Sequence, residues 1–158
     1  MKADIDHLFR TPEHTGTVAG WIYREFWEGR DGYDRATLES LLKNADDPHR
    51  IPLSLLARVG EAPAGTVNLI EHDFSKRPEL TPWLAALVVE KRFRGMGIGS
   101  ALTRALLSEA ARLGIETLYL CTDIPEFYAR LGALRHETVD GLHVMRFMIR
   151  KTAHVNKT

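Results

Sequence analysis

A chain of 158 residues is long enough for one domain with a buried core, and its 21 Lys plus Arg against 21 Asp plus Glu leave no net charge, which argues against a nucleic-acid partner. One cysteine, Cys121, rules out an internal disulfide, and the seven histidines stand at no ligand-like spacing, so no metal is expected. The longest apolar run, Trp83 to Val89, is far below the roughly 20 residues of a membrane helix, and no signal peptide opens the chain, so the expectation is a cytoplasmic protein that touches no membrane.

A short strand is expected around Asp4–Leu8, followed by a helix over Pro12–Trp27 with Val18, Ile22 and Phe26 on one face and Gly29 and Gly32 as its stop. A second helix at about Arg35–Asn44 has Asp34 to cap it and Leu38, Leu41 and Leu42 for its inner face. The period then changes. Leu53, Leu55, Ala57 and Val59 alternate, Gly60-Glu61-Ala62-Pro63 turns the chain, and Val67 and Leu69 resume the alternation, which predicts a hairpin of half-buried strands. Trp83–Val89 is apolar throughout, as a central strand covered on both faces must be. Ile98, Leu102, Leu106, Ala110 and Leu113 recur at helical spacing from Gly97 until Gly114 ends the helix, and Thr117–Cys121 is another apolar strand. Strand, crossover helix and strand in that order predict a parallel unit. A short helix at Ile124–Leu131 and strands at about Leu134–Val139 and His143–Ile149 complete an α/β domain over residues 1–151, with 152–158 expected to be an unstructured tail.

The most informative stretch lies between the core strand and its crossover helix: Arg94-Gly95-Met96-Gly97-Ile98-Gly99. Glycines let the backbone approach a ligand, the free N–H groups of a helix's first turn point outward, and the helix dipole favours an anion there. Three glycines could also make nothing more than a tight turn. Glycine inside a helix costs about 1 kcal/mol relative to alanine, however, so Gly97 and Gly99 at a helix start imply a compensating use. The spacing is neither the G-x-G-x-x-G of a dinucleotide site nor a Walker loop, which disfavours a nucleotide-binding α/β protein.

With Leu87-Val88-Val89 before it and Ser100-Ala101-Leu102 after it, the loop fits [QR]-x-x-G-x-[GA] and resembles that of the GNAT acetyltransferases. A second stretch about thirty residues on, Glu126-Phe127-Tyr128-Ala129-Arg130-Leu131-Gly132, is similar to the other signature of that family. The resemblance covers about residues 53–150. It implies a single-domain, GNAT-like mixed central sheet of about six to seven strands flanked by helices. It also implies acetyl-CoA as co-substrate, with Val88 and Val89 pairing to the pantetheine arm and Arg94, Gly95, Met96, Gly97, Ile98, Gly99 and Ser100 holding the pyrophosphate. Lys91 and Arg92 are close enough in sequence to help neutralise phosphates, or are simply solvated.

The implied reaction is transfer of an acetyl group to a primary amine by direct attack in a ternary complex. A phenol beside the sulfur can protonate the departing thiolate, and by the resemblance Tyr128 is the general acid. The amine must reach the site neutral, so a base or a water chain is needed. Glu71, His72, Asp73 and Glu79 are the candidates, Glu79 and His72 being put forward as tentative bases, because Trp83–Val89 contains no carboxylate. Asp123 is expected to cap the tyrosine helix, with Phe127 packed inward. Three features depart from the family pattern: Thr122 stands in place of a usual asparagine, Ala133 in place of an aromatic, and Lys91 in place of a proline. Trp21 and Trp83 are expected in the core, and Trp27 is the tryptophan expected to touch substrate. The 77–82 loop is expected to shape the acceptor mouth. Cys121 is expected to be a buried small hydrophobe and not a nucleophile. The partner is a small-molecule or peptide amine, and the C-terminal strands leave a homodimer open. The alternative is a non-catalytic acyl-CoA-binding sensor of the same fold.

Overall fold

A computed structural model describes residues 2–149, so the tail beyond them, with the domain limit expected at 151, lies outside the described residues. Seven strands form one mixed sheet in the order β1-β2-β3-β4-β5-β7-β6, with β1 Asp4–His7, β2 Leu53–Val59, β3 Ala62–Ile70, β4 Trp83–Val89, β5 Thr117–Thr122, β6 Leu134–Val139 and β7 Leu142–Met148. The helices are α1 Thr15–Ile22, α2 Arg35–Lys43, α3 Ile98–Arg112 and α4 Pro125–Arg130. The strands expected from sequence are all present, and the pair joined by the crossover helix α3, β4 and β5, is parallel.

Two apolar clusters sandwich the sheet. On one face α3 sets Ile98, Leu102 and Leu106 against Leu53, Leu55, Leu84, Leu118, Leu120 and Met145; on the other, α1 and α2 set Val18, Trp21, Ile22, Leu38 and Leu42 against Leu56 and Val88. Fully burying one such aliphatic side chain is worth about 1.5–3 kcal/mol, so these clusters fix the helices onto the sheet. Because both faces are covered, β2 and β3 are buried almost throughout, and the half-buried hairpin expected from alternation is corrected: the alternation sorts side chains between two cores instead of between core and water.

Three local expectations are also corrected. The helix over Pro12–Trp27 is a 3-10 turn at Pro12–His14, then α1, then a π-helical turn at Tyr23–Trp27 closed by Glu28 N–H donating to the Tyr23 carbonyl at 2.7 Å. The wider turn rotates the side chains beyond α1, so Val18 and Ile22 are buried while Phe26 is 43% exposed. On α2, Leu38 and Leu42 face inward but Leu41 is 49% exposed; the expected cap holds, with Thr37 N–H donating to Asp34 Oδ1 at 2.7 Å. At α4 the cap is not Asp123. Thr122 Oγ1 accepts from the Ile124 N–H at 3.0 Å, and no side chain caps the helix itself.

Strand β4 contains a bulge. Thr66 pairs with Val88 and Asn68 with Ala85, so Val67 faces both Ala86 and Leu87. Ala86 takes the left-handed φ of 51°. A buried relay braces it: Ser54 Oγ donates to Asn68 Oδ1 at 2.5 Å, and Asn68 Nδ2 lies 3.4 Å from the Ala86 carbonyl. The extra residue resets the alternation, so Leu87 and Val89 join Leu84 on the α3 face while Val88 turns to the α1 face.

Candidate active site

The site begins where β4 and β5 part. Their parallel ladder is confined to Trp83 opposite Tyr119, with Tyr119 N–H donating to the Pro82 carbonyl at 3.0 Å; beyond it β5 pairs only with β7. The two strands thus leave a wedge opening toward their C-terminal ends, edged by backbone of β4. At its mouth lies a groove of about 410 Å³ lined by Leu87, Val88 and Val89, by Phe93 and the loop from Arg94 to Ser100 except Met96, and by Ile124 and Phe127.

The loop is shaped to receive an anion. Gly95 and Gly97 have φ of 80° and 78°, Gly97 being the left-handed cap of α3, conformations that cost a residue with a Cβ about 1–2 kcal/mol. Ala101 N–H closes the first helical turn on the Gly97 carbonyl at 3.0 Å, which leaves the N–H groups of Ile98, Gly99 and Ser100 without helical acceptors at the positive end of a 15-residue helix. Arg94 Nε donates to the Val89 carbonyl at 3.0 Å and fastens the loop to the end of β4. A Cβ on Gly99 would stand 3.4 Å from Phe127 Cζ and 3.7 Å from Val89 Cγ2, so glycine there keeps the groove open between α4 and β4. These features fit a pyrophosphate at the loop and an extended arm along β4. Of the residues expected to hold the donor, Val88, Val89, Arg94, Gly95, Gly97, Ile98, Gly99 and Ser100 line the groove; Met96, within the same loop, is exposed and does not.

Tyr128 lies next to Phe127 in α4, their rings edge to face at 4.9 Å. Its ring packs in the α3-side core and the residue is 7% exposed. Among the described residues no hydrogen bond satisfies its hydroxyl, and the oxygen is not sealed from solvent. Burial, with a smaller push from the Asp123 charge, raises the phenol to about 12, so it holds its proton at any physiological pH.

Trp27 and Ala86 both pack at the margin of the cluster under α1 and α2, Trp27 meets Tyr33 edge to face at 4.8 Å, and Arg30 stacks over the Tyr33 ring at 4.3 Å. The 71–82 loop is tied to β6 by a two-pronged Arg77–Glu137 ion pair at 2.6 and 3.1 Å and by a Lys76–Asp140 pair at the β6–β7 turn. Asp73 in this loop is an exposed residue whose carboxyl is nevertheless partly desolvated. That desolvation raises it above the ordinary aspartate range, against an opposing pull from the Arg30 charge. Burial and the Asp73 charge push the Cys121 thiol to about 11. Asp73 therefore bears electrostatically on Cys121 of β5 and feels the Arg30 charge; Glu71, His72 and Glu79 are exposed, as Asp73 is, and Glu79 acts on Arg77 within its own loop.

One groove residue had no signal in the sequence. Glu25 reaches the donor groove from the π-helical turn, whose widened winding no residue pattern announced. Thr122, expected to stand in for an asparagine, spends its hydroxyl on the α4 backbone. Among the described residues no group of three or more His, Cys, Asp or Glu side chains is gathered to hold a metal, and no helix is long and apolar enough to cross a membrane.

A parallel strand pair splayed beside a glycine loop at a helix N-terminus is the frame of an acyltransferase of the CoA-using type. The model of the acetyltransferase (GNAT) family matches residues 18–133, and the chain belongs to that family. It is similar in fold to an aminoglycoside 6'-N-acetyltransferase complexed with coenzyme A (TM-score 0.71, 18% identity, 93% of this chain and 97% of that one). It is also similar to the PaiA N-acetyltransferase of Thermoplasma acidophilum in complex with coenzyme A (0.69, 18%, 94% and 99%) and to a GNAT-family acetyltransferase of Streptococcus pneumoniae (0.67, 20%, 94% and 100%). No curated protein matches the sequence.

Proposed function

We propose that the protein moves the acetyl group of acetyl-CoA to a primary amine by direct attack in a ternary complex, with no covalent enzyme intermediate. The amine nitrogen bonds to the thioester carbon, the carbon–sulfur bond breaks, and the departing thiolate takes the proton of Tyr128. A main-chain amide of the β4 bulge, left out of the ladder by the extra residue, is the donor we assign to the carbonyl oxygen as it gains charge. The loop from Arg94 to Ser100 holds the pyrophosphate, and Val88 and Val89 offer their backbone to the pantetheine. The observation that carries the reading is the splayed β4–β5 pair whose groove ends in a glycine loop at a helix N-terminus, with Tyr128 in the short helix that edges it through Phe127.

For the proton leaving the amine we favour Asp73 over Glu79 and His72, because desolvation raises its carboxyl above the ordinary aspartate range. A carboxylate raised in this way is a better match to a base working near neutral pH. The cytoplasm, which supplies acetyl-CoA, is the compartment we assign.

The test is thiol release from acetyl-CoA over a panel of amines that includes amino acids, polyamines and an aminoglycoside, alongside calorimetric titration with acetyl-CoA. Amine-dependent release that falls on the order of 100-fold in Tyr128→Phe, with donor affinity kept, is the expected result. Donor binding with no release for any amine would leave the non-catalytic sensor as the better account. Running Asp73→Asn beside Glu79→Gln and His72→Asn separates the bases, with the large loss in kcat expected for Asp73 only.

A further inference from the structure

Glu25 is the one lining residue of the donor groove that comes from outside residues 87–127, and it is the groove's only carboxylate. It stands in the π-helical turn at Tyr23–Trp27, a kind of turn that recurs at functional sites. Just before that turn Trp21 and Ile22 pack in the same cluster as Val88, which holds the turn beside β4. Among the described residues the Glu25 carboxylate has no hydrogen-bond or ion-pair partner. Arg24, the nearest cation in sequence, lies back along α1, where a Cβ on Gly20 would stand 3.4 Å from its Nη1. A free anion is out of place at the end of the groove where glycine amides and a helix N-terminus favour the pyrophosphate, so its use lies along the arm.

The rest of the groove offers such an arm little to bond to. Leu87, Val88, Val89, Phe93, Ile124 and Phe127 bring apolar side chains, and the Val89 carbonyl already accepts from Arg94 Nε at 3.0 Å. Ser100 belongs to the first turn of α3, at the phosphate end. Pantetheine carries two amide groups. Laid along β4 like an added strand it turns polar groups to both sides, and an N–H on the side away from β4 needs an acceptor that an apolar wall does not supply. A carboxylate only accepts, and the bonds it takes from N–H groups are of the strong, charge-assisted kind. We propose that Glu25, brought to the groove by the π-helical turn, accepts a hydrogen bond from an amide N–H of the pantetheine arm and is a donor-binding residue contributed by the N-terminal region. This rests on acetyl-CoA lying in the groove and is independent of which amine takes the acetyl group.

The decisive comparison is calorimetric and needs no turnover: Kd for acetyl-CoA against Kd for adenosine 3'-phosphate 5'-diphosphate, which keeps the pyrophosphate and lacks the arm. Glu25→Ala is expected to weaken acetyl-CoA by about tenfold, the worth of one charge-assisted bond at a solvent-facing site. Glu25→Gln, which keeps an acceptor oxygen at the same reach without the charge, is expected to lose about threefold. Neither substitution should move the affinity for the armless nucleotide. Unchanged or tighter binding of acetyl-CoA in Glu25→Ala would overturn the assignment, the tighter case marking the carboxylate as a group that merely repels the phosphates. A parallel fall for both ligands would overturn it too, since the effect would then lie at the phosphate end or in the turn itself. Proton NMR of bound acetyl-CoA gives an independent readout: one pantetheine amide proton should stand downfield in the wild type and return toward its free position in Glu25→Ala, and amide protons that are the same in both proteins would overturn the proposal. Wild-type protein that binds no acetyl-CoA would instead fail the donor site as a whole, a separate result, and the role of Glu25 would fall with it.

Discussion

Burial pushes Tyr128 to about 12 and Cys121 to about 11, and the same direction of shift has opposite consequences for the two groups. A thiol works only after losing its proton, so at neutral pH Cys121 is inert, as its place on a strand suggested. A phenol that donates works only while it keeps its proton, and Tyr128 keeps it over the whole usable range. Any fall in rate on the alkaline side well below pH 12 must then come from another group. Asp73 behaves differently again. Its folded-state value is raised by desolvation, so the folded protein holds that proton to higher pH than the unfolded chain does. Stability is unaffected below the unfolded value, falls as pH rises from there through the folded value, and stays lowered above it. Asp73→Asn removes the titration. Thermal unfolding should show the variant gaining on the wild type as pH rises from 3 to 7, while its kcat drops on the order of 100-fold and the acid limb of the wild-type kcat/KM profile, shifted above the usual aspartate range, disappears. A variant that loses activity without gaining stability at neutral pH would remove desolvation as the source of the basicity.

Among the elements, α3 shows what local sequence reveals well. The glycine loop and the apolar repeat of Ile98, Leu102 and Leu106 are adjacent in the chain, and adjacency is what a linear reading detects; helix, start and loop were all legible. The same holds for Asp34 at the head of α2. The π-helical turn was not legible, because one extra residue in a helical turn leaves the residue types unchanged, and Phe26 and Glu25 were misplaced or missed with it. The β4 bulge escaped for a like reason: it is set by the partner strand through Asn68, not by Ala86 itself. The loop also allows a sharp test. Gly99→Val puts a branched side chain where a single Cβ already lies 3.4 Å from Phe127, so donor affinity should fall at least tenfold by calorimetry with thermal stability changed little, since Phe127 borders an open groove. Gly97→Ala should instead cost about 1–2 kcal/mol of folding stability, because the added Cβ touches nothing within 4 Å and the penalty lies in the φ of 78° alone. The two variants separate groove width from backbone conformation.

Over the whole molecule the sheet is divided between two tasks. The half from β1 to β4 is sealed by helices on both faces, and the ladders from β1 through β3 to β4 are continuous apart from bulges. The half formed by β5, β7 and β6 is joined to it through a single register pair, through the helix α3 and, at the surface, through the Arg77–Glu137 and Lys76–Asp140 ion pairs. The base candidates were hard to rank from sequence because the charges that bear on them come from distant segments: Asp73 feels Arg30 and acts on Cys121, and nothing in the spacing of His72, Asp73 and Glu79 announces it. A donor lying along β4 and ending on the first turn of α3 would bridge the weakly joined halves, so binding should be read out as cohesion. At a concentration one hundred times Kd, acetyl-CoA adds about 2.7 kcal/mol to folding stability, which for a chain of this size is a rise in Tm of about 5–10 °C. Hydrogen exchange should slow most at Leu84–Val89 and in the loop from Gly95 to Ser100, and least at the β1–β2 pairing, which is remote from the wedge. A Tm rise with protection spread evenly over β1 to β3 would mean that the ligand tightens the closed half instead, and that the wedge is not where it lies.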